Sequence, residues 1–87
     1  MTTRKYLVHI TKDNGSDWGA SVPDLPGCVA TGKSIDVVLE RIRGAIVLHL
    51  EGLREDGAEI PAPRSRTVTP GQSGQHIDVY ATVEVAA

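Results

Sequence analysis

Residues 23–28 read Pro23-Asp24-Leu25-Pro26-Gly27-Cys28, a turn bracketed by two prolines. Each proline ring fixes φ near −65°, and Gly27 allows a positive φ that other residues resist. We expect a stiff loop that holds Asp24 and Leu25 outward. The simpler alternative is a structural turn that only sets the register of the strands it joins. Because preorganised loops often bind partners, Asp24, Leu25 and Pro26 are our candidate partner-binding residues.

Alternating apolar and polar residues on both sides of this turn predict β-strands. Residues 6–12 and 18–22 alternate, and the Asn-Gly pair between them favours a tight hairpin turn. Residues 28–31 predict a short third strand that is closed by Gly32. The clean alternation of residues 76–86 predicts a final strand with one buried face.

Apolar residues at helical spacing follow the third strand. Ser34 is a good N-cap, Asp36 places a carboxylate in the first turn, and Gly57 suits the position after the C-cap. Between these ends the apolar positions are Ile35, Val38, Leu39, Ile42, Ala45, Ile46, His49, Leu50 and Leu53. The pattern predicts one helix of roughly twenty residues, about 30 Å long, which can cover a small sheet.

The chain has 87 residues, enough for a single domain with one modest core. We assign residues 5–56 to the hairpin, third strand and helix, residues 57–75 to an exposed connection, and residues 76–86 to the final strand. The order β-β-β-α-β predicts an α+β fold in which the last strand lies beside the first and parallel to it. One face of the sheet packs on the helix, and the other is left uncovered.

Composition and charge argue against several classes of function. A net charge of −2 is unfavourable for general binding to nucleic acid or to an anionic membrane. One cysteine excludes a disulfide framework and a zinc site with several thiolates. Nothing at the N-terminus resembles a signal peptide, and no apolar run approaches the length of a membrane span. We therefore expect a cytoplasmic protein.

The nucleophilic and metal-binding residue types have structural explanations. Cys28 has no base brought near it by local spacing, so we interpret it as a small buried residue under the helix. His9, His49 and His76 do not show the spacing of metal ligands. We expect no catalytic residue, no cofactor and no metal site.

Three acidic residues suggest a weaker alternative, a degenerate nuclease of the RNase H type. Such enzymes hold two Mg²⁺ ions on strand carboxylates, and Asp24, Asp78 and Glu84 are the available groups. Asp78 and Glu84 lie on one face of the last strand, but roughly 20 Å apart at strand rise, too far to share an ion. A solvated strand face is the favoured interpretation.

Several segments taken together resemble the HicB-type antitoxin domain. They are the turn at residues 23–28, Gly32, the helical segment 42–53, Asp56-Gly57 and residues 60–63. The resemblance implies a partial RNase H-like fold without the catalytic acids of the nuclease. It also implies a partner, a HicA-type toxin, which is a small basic ribonuclease that cuts mRNA and whose active site the antitoxin masks.

Full-length members of that family usually carry a C-terminal DNA-binding segment. The sequence ends at Ala87, directly after the predicted last strand, so we expect no direct DNA binding. Besides the antitoxin function, a stand-alone homo-oligomeric module stays open. Val37, Val47 and Leu48 form a second apolar stripe on the helix, which favours a homo-oligomer, either a dimer or a tetramer.

Overall fold

The computed structural model of this chain describes residues 3–13, 15–64 and 76–86. Its elements are β1 (Thr3–Asp13), β2 (Trp18–Ser21), β3 (Val29–Gly32), α1 (Ile35–Glu55) and β4 (His76–Ala86). The predicted α+β class and the order β-β-β-α-β are confirmed. The partial RNase H-like classification stays a prediction, and the part of the expected connection at residues 65–75 lies outside the described residues.

The strands form one antiparallel sheet in the order β3-β2-β1-β4. β1 pairs with β2 on one side. On its other side it pairs with β4 along its whole length, from Thr3 opposite Ala86 to Asp13 opposite His76. The last strand therefore lies beside the first, as expected, but the predicted parallel direction is wrong.

The chain after α1 is held at the end of the sheet opposite to the one where β4 begins. The Tyr6 hydroxyl donates to the Pro61 carbonyl oxygen at 2.7 Å, which fixes this segment at the end of the sheet where β1 begins. A chain that joined the sheet there would run parallel to β1. β4 instead begins at the opposite end, with His76 opposite Asp13, and runs antiparallel to β1.

Both ends of α1 are formed by the local signals that the sequence contains. At the start, the Ser34 hydroxyl accepts a hydrogen bond from the Val37 N–H at 3.1 Å. At the end, the N–H groups of Gly57 and Ala58 donate to carbonyl oxygens of the last helical turn. This pair of bonds is the usual way in which a helix stops at a glycine.

The core lies between one stripe of α1 and one face of the sheet. Val38, Ile42, Ile46 and Leu50 recur every four residues and are buried. The sheet contributes Tyr6, Val8, Ile10, Ala20, Val83 and Val85, and Val22 adds to the core directly after β2. Burial of each large aliphatic side chain stabilises the fold by about 1.5–3 kcal/mol, so this interface supplies most of the stability.

Candidate protein-binding surface

The proline turn, residues 22–28, consists of two consecutive β-turns. The Leu25 N–H donates to the Val22 carbonyl oxygen and the Cys28 N–H to the Leu25 carbonyl oxygen, both at 3.0 Å. A bond of 3.2 Å from the Val22 N–H to the Cys28 carbonyl oxygen closes the loop. Gly27 has a φ of 86°, which the second of these turns requires at that position. The stiff loop predicted from the sequence is therefore present.

Leu25 points into the molecule, so the expectation that the turn holds it outward is wrong. Its side chain is 0% exposed and belongs to the core cluster. The backbone of the turn satisfies its own hydrogen bonds, and burial of an aliphatic side chain in the middle of the loop is then favourable. Partner contact by the three candidate residues stays a prediction. Because Leu25 is buried, it can support such a contact only by holding the turn in place.

Asp24 and Pro26 occupy different environments in the turn. The half-buried Asp24 carboxylate accepts a hydrogen bond of 2.9 Å from the Arg64 N–H, which ties the turn to the segment after α1. Pro26 and Gly27 are exposed. The turn thus has an anchored side, at Asp24 and Leu25, and a free side at Pro26.

A row of four side chains crosses the sheet on the face opposite α1. The strand register places Val29, Ser21, His9 and Tyr80 next to one another, one on each strand. The rings of His9 and Tyr80 are stacked, with centroids 4.6 Å apart and planes inclined by 15°. Val29 is 64% exposed and follows the proline turn directly. We call these four residues the open-face row.

The sequence pattern predicted an uncovered face of the sheet but not the open-face row. Alternation in the first strand places His9 on the side away from the helix, and the hairpin signal places Ser21 near it. The pairing of His9 with Tyr80 depends on an antiparallel β4, and no local pattern specifies that direction. The sequence alone could therefore place His9 and Ser21 on the uncovered face. It could not predict that His9 stacks on Tyr80.

Of the second apolar stripe that the sequence predicted, Val47 and Leu48 lie on the outer face of α1, whereas Val37 is half-buried. Leu48 is 70% exposed and Val47 is 38% exposed. The rest of this face is polar or charged, with Gly44 and Gly52 on either side of Leu48. Over the described ranges of the chain, no helix has both the length and the apolar character that a membrane crossing requires.

Among the residues considered for catalysis, Cys28, Glu84 and Asp24 are buried or already engaged. Cys28 is buried, and burial raises the pKa of its thiol, which lowers the thiolate fraction needed of a nucleophile. Glu84 lies 3.9 Å from the Lys5 ammonium, and Asp24 accepts from Arg64. In the described part of the chain, no three His, Cys, Asp or Glu residues are grouped as metal ligands.

Comparison with known proteins identifies what this fold is similar to. The model of a family described as the HicB-like antitoxin of bacterial toxin–antitoxin systems matches residues 6–86. The crystal structure of the N-terminal domain of Burkholderia pseudomallei antitoxin HicB matches with a TM-score of 0.77 and 33% sequence identity. That match covers 95% of this chain and 99% of the domain.

Two further matches come from a sequence relative and a complex. A UPF0150 protein of Thermoplasma acidophilum is 37% identical over 65 residues, which are 75% of this chain and 94% of the relative. A structure of a HicA3 and HicB3 toxin–antitoxin complex matches with a TM-score of 0.61 and 24% identity, over 71% of each chain. At that identity the likeness concerns the fold alone.

Proposed function

The chain belongs to the HicB-like antitoxins of bacterial toxin–antitoxin systems, and from this premise we propose that it binds and masks a HicA-type toxin. A protein of similar fold is found in a HicA3 and HicB3 complex, which supports this type of partner. The proposed partner is a small basic ribonuclease that cuts mRNA, so we place the action in the cytoplasm. The chain acts by binding rather than by catalysis, and direct DNA contact is not part of the proposal.

We assign the toxin contact to the open-face row together with the exposed side of the proline turn. This assignment rests on the 64% exposure of Val29, which lies in the same row of the sheet as the stacked pair of His9 and Tyr80. Aromatic and apolar side chains are enriched at the centres of protein interfaces. Because the strands already fix their positions, little conformational entropy is lost when a partner covers them.

The three candidate residues of the turn then have different roles. Pro26 is exposed and adjoins the open-face row through Val29, so we propose that it contacts the toxin. Asp24 and Leu25 act by positioning the turn, one through the Arg64 N–H and the other through the core. The net charge of −2 favours encounter with a basic partner only weakly, so shape and apolar contact dominate.

The test is calorimetric titration of the full chain with a catalytically inactivated HicA-type toxin from the same source organism. We expect a stable complex, and Val29→Arg should weaken it by about tenfold or more, because it places a charge in the apolar contact. Leu48→Arg is the matched control, since Leu48 is also an exposed apolar residue but lies on the outer face of α1.

Both substituted side chains are exposed, so both variants should keep the thermal midpoint of the wild type. The function proposal fails if no complex forms at micromolar concentrations. The surface assignment fails if Leu48→Arg abolishes the complex while Val29→Arg leaves it intact, in which case the toxin binds the helix.

A further inference from the structure

Residues 60–64 form a short segment beside the proline turn, which we call the brace. It reads Ile60-Pro61-Ala62-Pro63-Arg64 and belongs to neither a helix nor a strand. Ile60 is half-buried and packs against the core. Each of the two prolines fixes its own φ near −65° and keeps the residue before it extended. The brace is therefore stiff, although it is not part of a regular element.

Two hydrogen bonds hold the brace, one near each of its ends. The Tyr6 hydroxyl donates to the Pro61 carbonyl oxygen at 2.7 Å. The Arg64 N–H donates to the Asp24 carboxylate at 2.9 Å. Tyr6 is 0% exposed and lies on β1, an inner strand of the sheet, whereas Asp24 lies in the proline turn. The brace thus connects a fixed point in the core to the turn.

The hydrogen bonds within the proline turn fix its shape, but they do not fix its direction relative to the sheet. They join Val22, Leu25 and Cys28 to one another. Leu25 anchors the inward side of the turn in the core. The bond between Asp24 and the Arg64 N–H attaches the turn at a second point. Two separate attachments restrict a tilt of the whole turn that a single attachment allows.

We propose that the brace sets the direction of the proline turn and, through it, the affinity for the toxin. The part about affinity rests on the proposed function, in which exposed Pro26 and Val29 contact the partner together. A turn that tilts freely must be ordered when the partner binds, which lowers the affinity. The Arg64 N–H and the Asp24 carboxylate are then positioning groups, and neither has to touch the toxin.

The direction of the turn can be measured without a partner, by residual dipolar couplings of backbone N–H groups in the full chain. Arg64→Pro removes the donated N–H but is compatible with an extended backbone. Arg64→Ala removes the same side chain and keeps the N–H. We expect smaller couplings for Leu25, Gly27 and Cys28 in Arg64→Pro than in Arg64→Ala, with the couplings of β1 alike in both. Equal couplings of the turn in the two variants overturn the proposal.

Calorimetric titration with the inactivated toxin measures the consequence for binding. Arg64→Pro should bind about three- to tenfold more weakly than Arg64→Ala, the loss expected when one hydrogen bond no longer preorganises a contact. The amides of Leu25 and Cys28 should stay equally protected from hydrogen exchange in both variants. If Arg64→Pro loses this protection together with affinity, the turn unfolds rather than tilts and the proposal is overturned. Equal affinities of the two variants also overturn it.

The same bond can be removed from its other side, at Asp24. Asp24→Leu has no acceptor and should weaken binding, whereas Asp24→Asn keeps an oxygen that can accept the N–H and should recover most of the affinity. A double variant with Asp24→Leu and Arg64→Pro should bind no more weakly than Asp24→Leu alone, because both changes remove one bond. Additive losses contradict the proposal. Failure of the wild type to bind any toxin refutes the proposed function, and the couplings of the free chain still decide whether the brace directs the turn.

Discussion

The two faces of the sheet are built from the same strands, but only one of them packs against α1. On β1, Tyr6, Val8 and Ile10 are 0% exposed and pack beneath α1. His9 alternates with these residues and is only half-buried. The open-face row, to which His9 belongs, ends in Val29, which is 64% exposed. The covered face supplies the stability, and the open face is the surface that we propose for binding a partner. Substitutions on the two faces should therefore separate stability from binding.

The largest effect should come from Leu25→Ala. The side chain is fully buried, so its truncation should lower the free energy of unfolding by about 2–5 kcal/mol. Pro26→Ala, next to it but exposed, should change this free energy by less than about 1 kcal/mol. Urea denaturation measures both. Equal losses in the two variants would show that Leu25 is not an anchor of the covered face.

Gly32→Ala should have the next largest effect, because α1 starts in close contact with β3. A Cβ on Gly32 would lie 2.9 Å from Val37 Cγ1 and 3.0 Å from the Val38 nitrogen. We expect a loss of about 1–3 kcal/mol in the free energy of unfolding. Gly44→Ala is the control: a Cβ there meets nothing within 4 Å, and alanine should stabilise the helix by about 0.5–1 kcal/mol. A neutral Gly32→Ala would contradict the close helix–strand contact.

Tyr6→Phe should cost about 0.5–1.5 kcal/mol, the net value of the hydrogen bond from its hydroxyl to Pro61. Burial raises the pKa of Tyr6 above its usual 10.0, so the folded state retains a proton that the unfolded state releases. The stability of the wild type should thus fall as the pH rises above 10.

Thermal unfolding between neutral and alkaline pH should show a shallower decline for Tyr6→Phe than for the wild type. Burial also raises the pKa of the Cys28 thiol, but Cys28 is present in both proteins and its contribution cancels in the difference. Parallel pH profiles for the two proteins would mean that the Tyr6 hydroxyl is not buried against the sheet.

The smallest effect should be the coupling between His9 and Tyr80 on the open face. A double-mutant cycle with His9→Ala and Tyr80→Ala should give a coupling energy of about 0.2–1 kcal/mol, as for other cross-strand aromatic pairs. A coupling above about 2 kcal/mol would indicate that this face, too, is essential for folding.

Local signals made part of this structure predictable and left the rest open. α1 could be placed from Ser34 and Gly57, because a helix is capped by residues adjacent to it. The direction of β4 could not, since it is a matter of pairing with the distant strand β1, which no local pattern specifies. The family could be recognised from motifs in the turn and helix.

The candidate site shows the same division. Two prolines and a glycine predicted the rigid shape of the turn, because backbone angles are a local property. The inward direction of Leu25 depends on the space beneath α1, which no local pattern reports. The open-face row likewise needs the strand register, and His9 meets Tyr80 only because β4 is antiparallel.

Side-chain methyl NMR can show directly which face of the protein a toxin covers. Val29 projects from the open face, whereas Val47 and Leu48 project from the outer face of α1. On titration with the inactivated toxin, we predict that the methyl signals of Val29 shift while those of Val47 and Leu48 do not. Shifts confined to Val47 and Leu48 would contradict the account.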